Sequence, residues 1–183
     1  MAVEVYLNVY DITKMNSFIG CLGLGLYHTG IQINNVEYRF GAHDDYYSGV
    51  CTNTPKDGMG IYRFNRSIFL GMCDLTSEQI EEIISDLEID YIGRSYDIFK
   101  KNCNHFSDDL CKKLLGKQIP RFVFSVSNFL SFTRCIVSKK IIKGGFDTSD
   151  RQEKDSLFLG KKRIECKKTR DVEMSLMQSQ YSL

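Results

Sequence analysis

The chain has 183 residues, 43% of them hydrophobic and 26% charged, which is room for one domain with a core of ordinary size plus a tail. A net charge of +1 supplies no global field for nucleic acid. No stretch reaches the roughly 20 apolar residues of a membrane span; the nearest, Phe122 to Val137, is interrupted by Asn128, Arg134 and several serines.

Seven cysteines, odd in number and scattered, do not form a disulfide framework. The expected state is reduced thiols in a cytoplasmic protein, with nuclear presence left open. Met1 to Val5 lacks the basic and apolar run of a signal peptide.

Taken in order, Val3 to Tyr10 alternates apolar and polar residues as a strand does. Asp11 to Gly25 reads as a glycine-containing loop. Leu26 to Ile33 and Val36 to Phe40 are strand-like runs joined by Asn34-Asn35, a pair that tolerates the positive φ of a tight hairpin. Gly41 to Gly60 has no period and reads as a long surface loop, a length that is often functional. Gly60 to Phe64 and Ser67 to Leu75 read as two further short strands.

Thr76 with Gln79 makes a capping-box pattern, and Leu75 with Ile80 a hydrophobic staple. Ile80, Ile83, Ile84 and Leu87 then mark one face of a helix that ends before Gly93. A second helix is predicted from Asn102 to Leu115, with Phe106, Leu110 and Leu114 on one face and Gly116 as its stop. Phe122 to Val137 is expected to be a docking helix. From Lys139 onward 11 Lys/Arg stand against 7 Asp/Glu, leaving 13 of 24 basic and 16 of 23 acidic residues to the body. The expected organisation is a domain over residues 1–138 and a basic, disordered tail over 139–183. Strands followed by helices argue for an α+β fold with a mainly antiparallel sheet.

The run Asn102-Cys103-Asn104-His105-Phe106 places a thiol at a helix start, where the dipole and free N–H groups favour negative charge. Asn102 would cap that helix, and the Cys103 N–H would face a developing oxyanion. The chain offers three histidines as partners. His105, two residues on, points to another side of the helix. His43 lies in the long loop, where positioning is imprecise. His28 lies on a strand, and Gly30 beside it leaves room for another element. A helix end packed over the Leu26, His28, Gly30, Gln32 face would bring Cys103 to His28. The blander readings are a buried structural cysteine, a satisfied core histidine and a simple helix cap. A zinc site from His28, His105, Cys103 and Cys111 fits no common spacing, so no metal and no cofactor are expected.

Four blocks then carry a resemblance: Val9-Tyr10-Asp11, Tyr27-His28-Thr29-Gly30-Ile31, Lys101-Asn102-Cys103-Asn104-His105-Phe106-Ser107 and Gly116-Lys117-Gln118-Ile119-Pro120. Their order and spacing resemble the PPPDE family of circularly permuted papain-like (NlpC/P60-type) cysteine peptidases, also called deSUMOylating isopeptidases. Within it the blocks are most similar to the second human-type paralogue, assigned as a deubiquitinase. The resemblance spans about Val3 to Cys135. It implies His28 and Cys103 as the catalytic pair. It also implies cleavage of isopeptide bonds between ubiquitin or SUMO and lysine through a thioacyl enzyme. Tyr46 and Tyr47 are candidates for a wall of the substrate groove, against ordinary surface packing. Partners would be modifier conjugates, with no nucleic acid and no membrane span; a homodimer stays open.

The nearest rival is a protein S-acyl thioesterase (depalmitoylase) or an acyltransferase using the same Cys-His site. The acyltransferase families with a similar helix start place a second histidine on the next strand, and Val36 to Phe40 has none. A second rival is a binding module that holds modifiers without cutting them. A third, weaker one is a nucleic-acid adaptor acting through the tail.

Overall fold

The computed structural model describes residues 2–13, 16, 25–58, 60 and 62–124. Five strands, β1 (Val3–Asp11), β2 (Tyr27–Ile33), β3 (Val36–Phe40), β4 (Val50–Asn53) and β5 (Arg63–Cys73), form one antiparallel sheet in the order β4-β3-β2-β1-β5. Two helices follow, α1 (Ser77–Asp90) and α2 (Cys103–Leu115), with short 3-10 turns at Gly93–Ser95 and Arg121–Phe124. This is an α+β fold with an antiparallel sheet, consistent with the permuted papain-like architecture.

Local chemistry explains most boundaries. Asn34 turns the β2–β3 hairpin at a φ of 53°. Thr76 caps α1 through the reciprocal bonds with Gln79, and Leu75 packs on the core that holds Ile80. Gly116 ends α2 in the left-handed region at φ 67°, which costs glycine nothing.

The two sheet faces differ in chemistry. Val5, Leu7 and Val9 of β1, Ile31 and Ile33 of β2 and Phe40 of β3 meet Phe106, Leu110 and Leu114 of α2 in one core, which Ile80, Ile84 and Leu87 of α1 extend. Phe106 and Leu110 have no exposed surface. Burying a side chain of that size is worth about 1.5–3 kcal/mol. The other face carries buried polar groups. Glu37 accepts hydrogen bonds from Asn8 Nδ2 at 2.6 Å, from the Tyr10 hydroxyl at 2.7 Å and from Lys56 N at 3.1 Å. Burial holds its carboxyl above the usual range, against the pull of those donors. The second face explains why β1 is buried on both sides from Leu7 onward although its sequence alternates.

The strands, the thiols and the chain after Pro120 depart from the sequence reading in four places. The long loop contains β4, a four-residue edge strand with no apolar alternation to announce it. The two short strands after Gly60 are one strand, because β1 pairs with β5 past Asn65 and Arg66 and absorbs two register shifts on the way. Cys73, Cys103 and Cys111 are free thiols, but Cys51 is disulfide-bonded, so the thiols are not all reduced. Residues 121–124 form a 3-10 turn where a helix was expected to begin. The rest of that predicted helix, most of the Asp11 to Gly25 loop and the basic tail lie outside the described residues.

Candidate active site

Asn102 is the N-cap of α2. Its side-chain oxygen accepts from Asn104 N at 2.9 Å and His105 N at 3.2 Å, while its Nδ2 donates to Ile98 O at 2.6 Å. His105 completes the cap, with Nδ1 3.3 Å from the Asn102 N–H. Its ring packs on Phe124, and burial pulls its pKa below the ordinary 6.5. Cys103 is therefore the first residue of the helix, buried, with its N–H not consumed by the cap.

Thr29 fastens this helix end to β2. Its Oγ1 donates to Asn104 Oδ1 at 2.9 Å and meets Ser107 Oγ at 3.0 Å. Asn104 Nδ2 donates in turn to Val123 O at 2.9 Å. The helix thus covers the face of Tyr27, Thr29, Ile31 and Ile33, not the His28, Gly30, Gln32 face that the sequence reading chose. The apolar residues of β1 and β2 decide this. A methyl at Gly30 would overlap Glu37 Oε1 and come within 2.8 Å of Arg39 Cγ, so the room beside that glycine is already filled by β3.

His28 sits next to Thr29, at the end of β2 that meets the start of α2, and is buried. Its ring stacks on Tyr62 with centroids 4.6 Å apart and lies 6.0 Å from that of Tyr10, its cross-strand partner. Tyr62 acts electrostatically on Tyr96, and the Tyr96 hydroxyl donates to Cys103 Sγ at 3.8 Å. Tyr62 thus packs on the imidazole, and Tyr96 reaches the thiol. Neither was legible in the sequence, since each lies in irregular chain.

His43 is better held than its loop suggested. Its Nε2 lies 2.9 Å from Ser48 O, its ring packs on Tyr47 at 4.1 Å, and Gly93 is in close contact. Bonds from Gly49 N to Tyr91 O and from Gly93 N to Tyr47 O tie this loop to the segment before Tyr96. Tyr46 is 81% exposed beneath the Arg94 guanidinium, at 4.2 Å. Cys111 lies in the core, and burial pushes its thiol up to about 11. Among the described residues no group of three or more His, Cys, Asp or Glu side chains is placed to hold a metal ion. No helix among them is long and apolar enough to cross a membrane.

Curated relatives agree with the motif resemblance. A DeSI-like protein of Arabidopsis thaliana is 36% identical over 75% of this chain and 61% of its own length. The Desumoylating isopeptidase 1 homolog of Caenorhabditis elegans is 36% identical over 68% of this chain and 38% of its own. The DeSI-like protein sdu1 of Schizosaccharomyces pombe is 34% identical over 81% and 76%. The chain thus spans less than two thirds of the first two, and these matches single out no human paralogue. The family model described as "PPPDE putative peptidase domain" matches residues 3–141. The chain belongs to the PPPDE family.

Proposed function

We propose that this protein is a cysteine hydrolase that removes ubiquitin or a ubiquitin-like modifier such as SUMO from lysine. Cys103 is the nucleophile and His28 the base. The observation that carries the reading is the thiol on the first turn of α2, clamped by Thr29 to the strand that bears His28. Family membership and the names of the three relatives, each desumoylating or DeSI-like, supply the substrate class. The four sequence blocks favour the deubiquitinase branch.

His28 takes the thiol proton, and the Cys103 thiolate attacks the carbonyl at the modifier C-terminus. The Cys103 N–H and the first turn of α2 favour the oxyanion. His28 returns the proton to the leaving lysine amine, and water then releases the modifier from sulfur. The chemistry needs no metal or cofactor. A panel of modifiers with C-terminal electrophiles tests this. Adducts at Cys103, absent in Cys103→Ser, are expected with at least one of them. Adducts only with thioester or lipid acyl probes would move the assignment to S-acyl hydrolysis.

A further inference from the structure

One side chain in contact with Cys103 has no task in the steps above. The Tyr96 hydroxyl meets Cys103 Sγ at 3.8 Å, and the Cys103 main-chain N–H faces the same oxygen. The phenol is held from three directions. Tyr96 N closes the 3-10 turn on Gly93 O at 3.3 Å, and the ring packs on Phe40 with centroids 5.1 Å apart. The chain between Tyr96 and Cys103 is pinned by paired bonds between Asp97 and Lys101, at 2.9 and 3.0 Å. Burial, and then the neighbouring Cys103, raise its pKa well above the ordinary phenol value, so it keeps its proton.

We propose that Tyr96 is a catalytic hydrogen-bond donor that shares the oxyanion of acyl transfer with the Cys103 N–H. This rests on the hydrolase reading above. As the sulfur–carbon bond forms, the carbonyl π pair moves to oxygen. Sulfur loses its charge while the adjacent oxygen gains it, and the Tyr96 hydroxyl turns from the first to the second. Collapse restores the carbonyl and breaks the carbon–nitrogen bond, and the amine leaves with the proton from His28. Tyr96 keeps its own proton throughout. A donor already in place at such an oxygen is typically worth 10²–10³ in kcat.

The test is Tyr96→Phe, which keeps the ring on Phe40. Two rates are read: turnover of a modifier C-terminal aminocoumarin amide, and alkylation of Cys103 by iodoacetamide, which uses the thiolate but builds no oxyanion. The expected result is a kcat lower by about 100- to 1,000-fold, with KM little changed and a much smaller loss in alkylation, the part owed to the bond from the hydroxyl to sulfur. That retained alkylation also reports an intact site. Parent turnover in the variant, or an equal loss in both reactions, overturns the proposal. If the unaltered protein is acylated by no modifier probe, the hydrolase reading falls and this one with it. If it turns over, Cys103→Ser does not, and Tyr96→Phe matches the parent, only the role of Tyr96 falls.

Discussion

Thr29 Oγ1 donates to Asn104 Oδ1 at 2.9 Å, joining β2 to α2 across 75 residues of sequence. This bond fixes the helix start that carries Cys103 against the strand that carries His28. Thr29→Val keeps the shape and removes the hydroxyl, so Asn104 Oδ1 loses a buried donor. The expected cost is about 1–3 kcal/mol in urea unfolding, together with slower labelling of Cys103. Thr29→Ser should recover most of both. Equal stability of the Val variant and the parent would show that the joint lies elsewhere.

The helix cap gives a second prediction. Asn102→Ala removes the acceptor for two helix N–H groups and should destabilise the protein by about 0.5–2 kcal/mol. Asn102→Asp keeps that acceptor and should cost less than Ala. The order of the two denaturation midpoints is the check, and a reversed order counts against the capping role.

Gly30 offers a steric test. Its added methyl would meet a Glu37 carboxylate already held by Asn8, Tyr10 and the Lys56 N–H, so the carboxylate cannot move aside without losing bonds. Gly30→Ala is expected to lose about 1–3 kcal/mol. No change in midpoint would mean that this polar face is looser than its hydrogen bonds indicate.

His105 sets a pH dependence. Its folded pKa lies below 6.5 because burial penalises the charged ring, and the unfolded chain keeps the ordinary value. Above pH 6.5 both states are neutral and its cap contribution is complete. As pH falls through 6.5 and then through the lower folded value, the unfolded state binds the proton more readily, and that contribution is lost. His105→Gln keeps a capping-box residue at this position and does not titrate. Urea midpoints of parent and variant should diverge between pH 7.5 and pH 5.5, the parent losing more. Parallel loss would assign the acid sensitivity to other groups.

Both helix starts were legible in the sequence because a cap is a local device. Thr76 with Gln79, and Asn102 with the N–H groups just after it, act within three residues. The Asn34 hairpin and the Gly116 stop are equally short-range. β4 escaped because four edge residues carry no period, and the continuity of β5 escaped because Asn65 and Arg66 look like a turn, whereas β1 pairs with Arg66 and passes Asn65 at a register shift.

Composition, caps and turns by themselves settled where helices begin, which thiol stands at a helix mouth, and that strands precede helices, since each depends on neighbours in the chain. Only the tertiary structure decided which face of β2 the helix covers and which phenol reaches Cys103. Those outcomes depend on burying apolar residues and pairing polar ones far apart in sequence. Thr29 and Asn104, and His28 and Tyr62, have no local pattern that foretells their meeting.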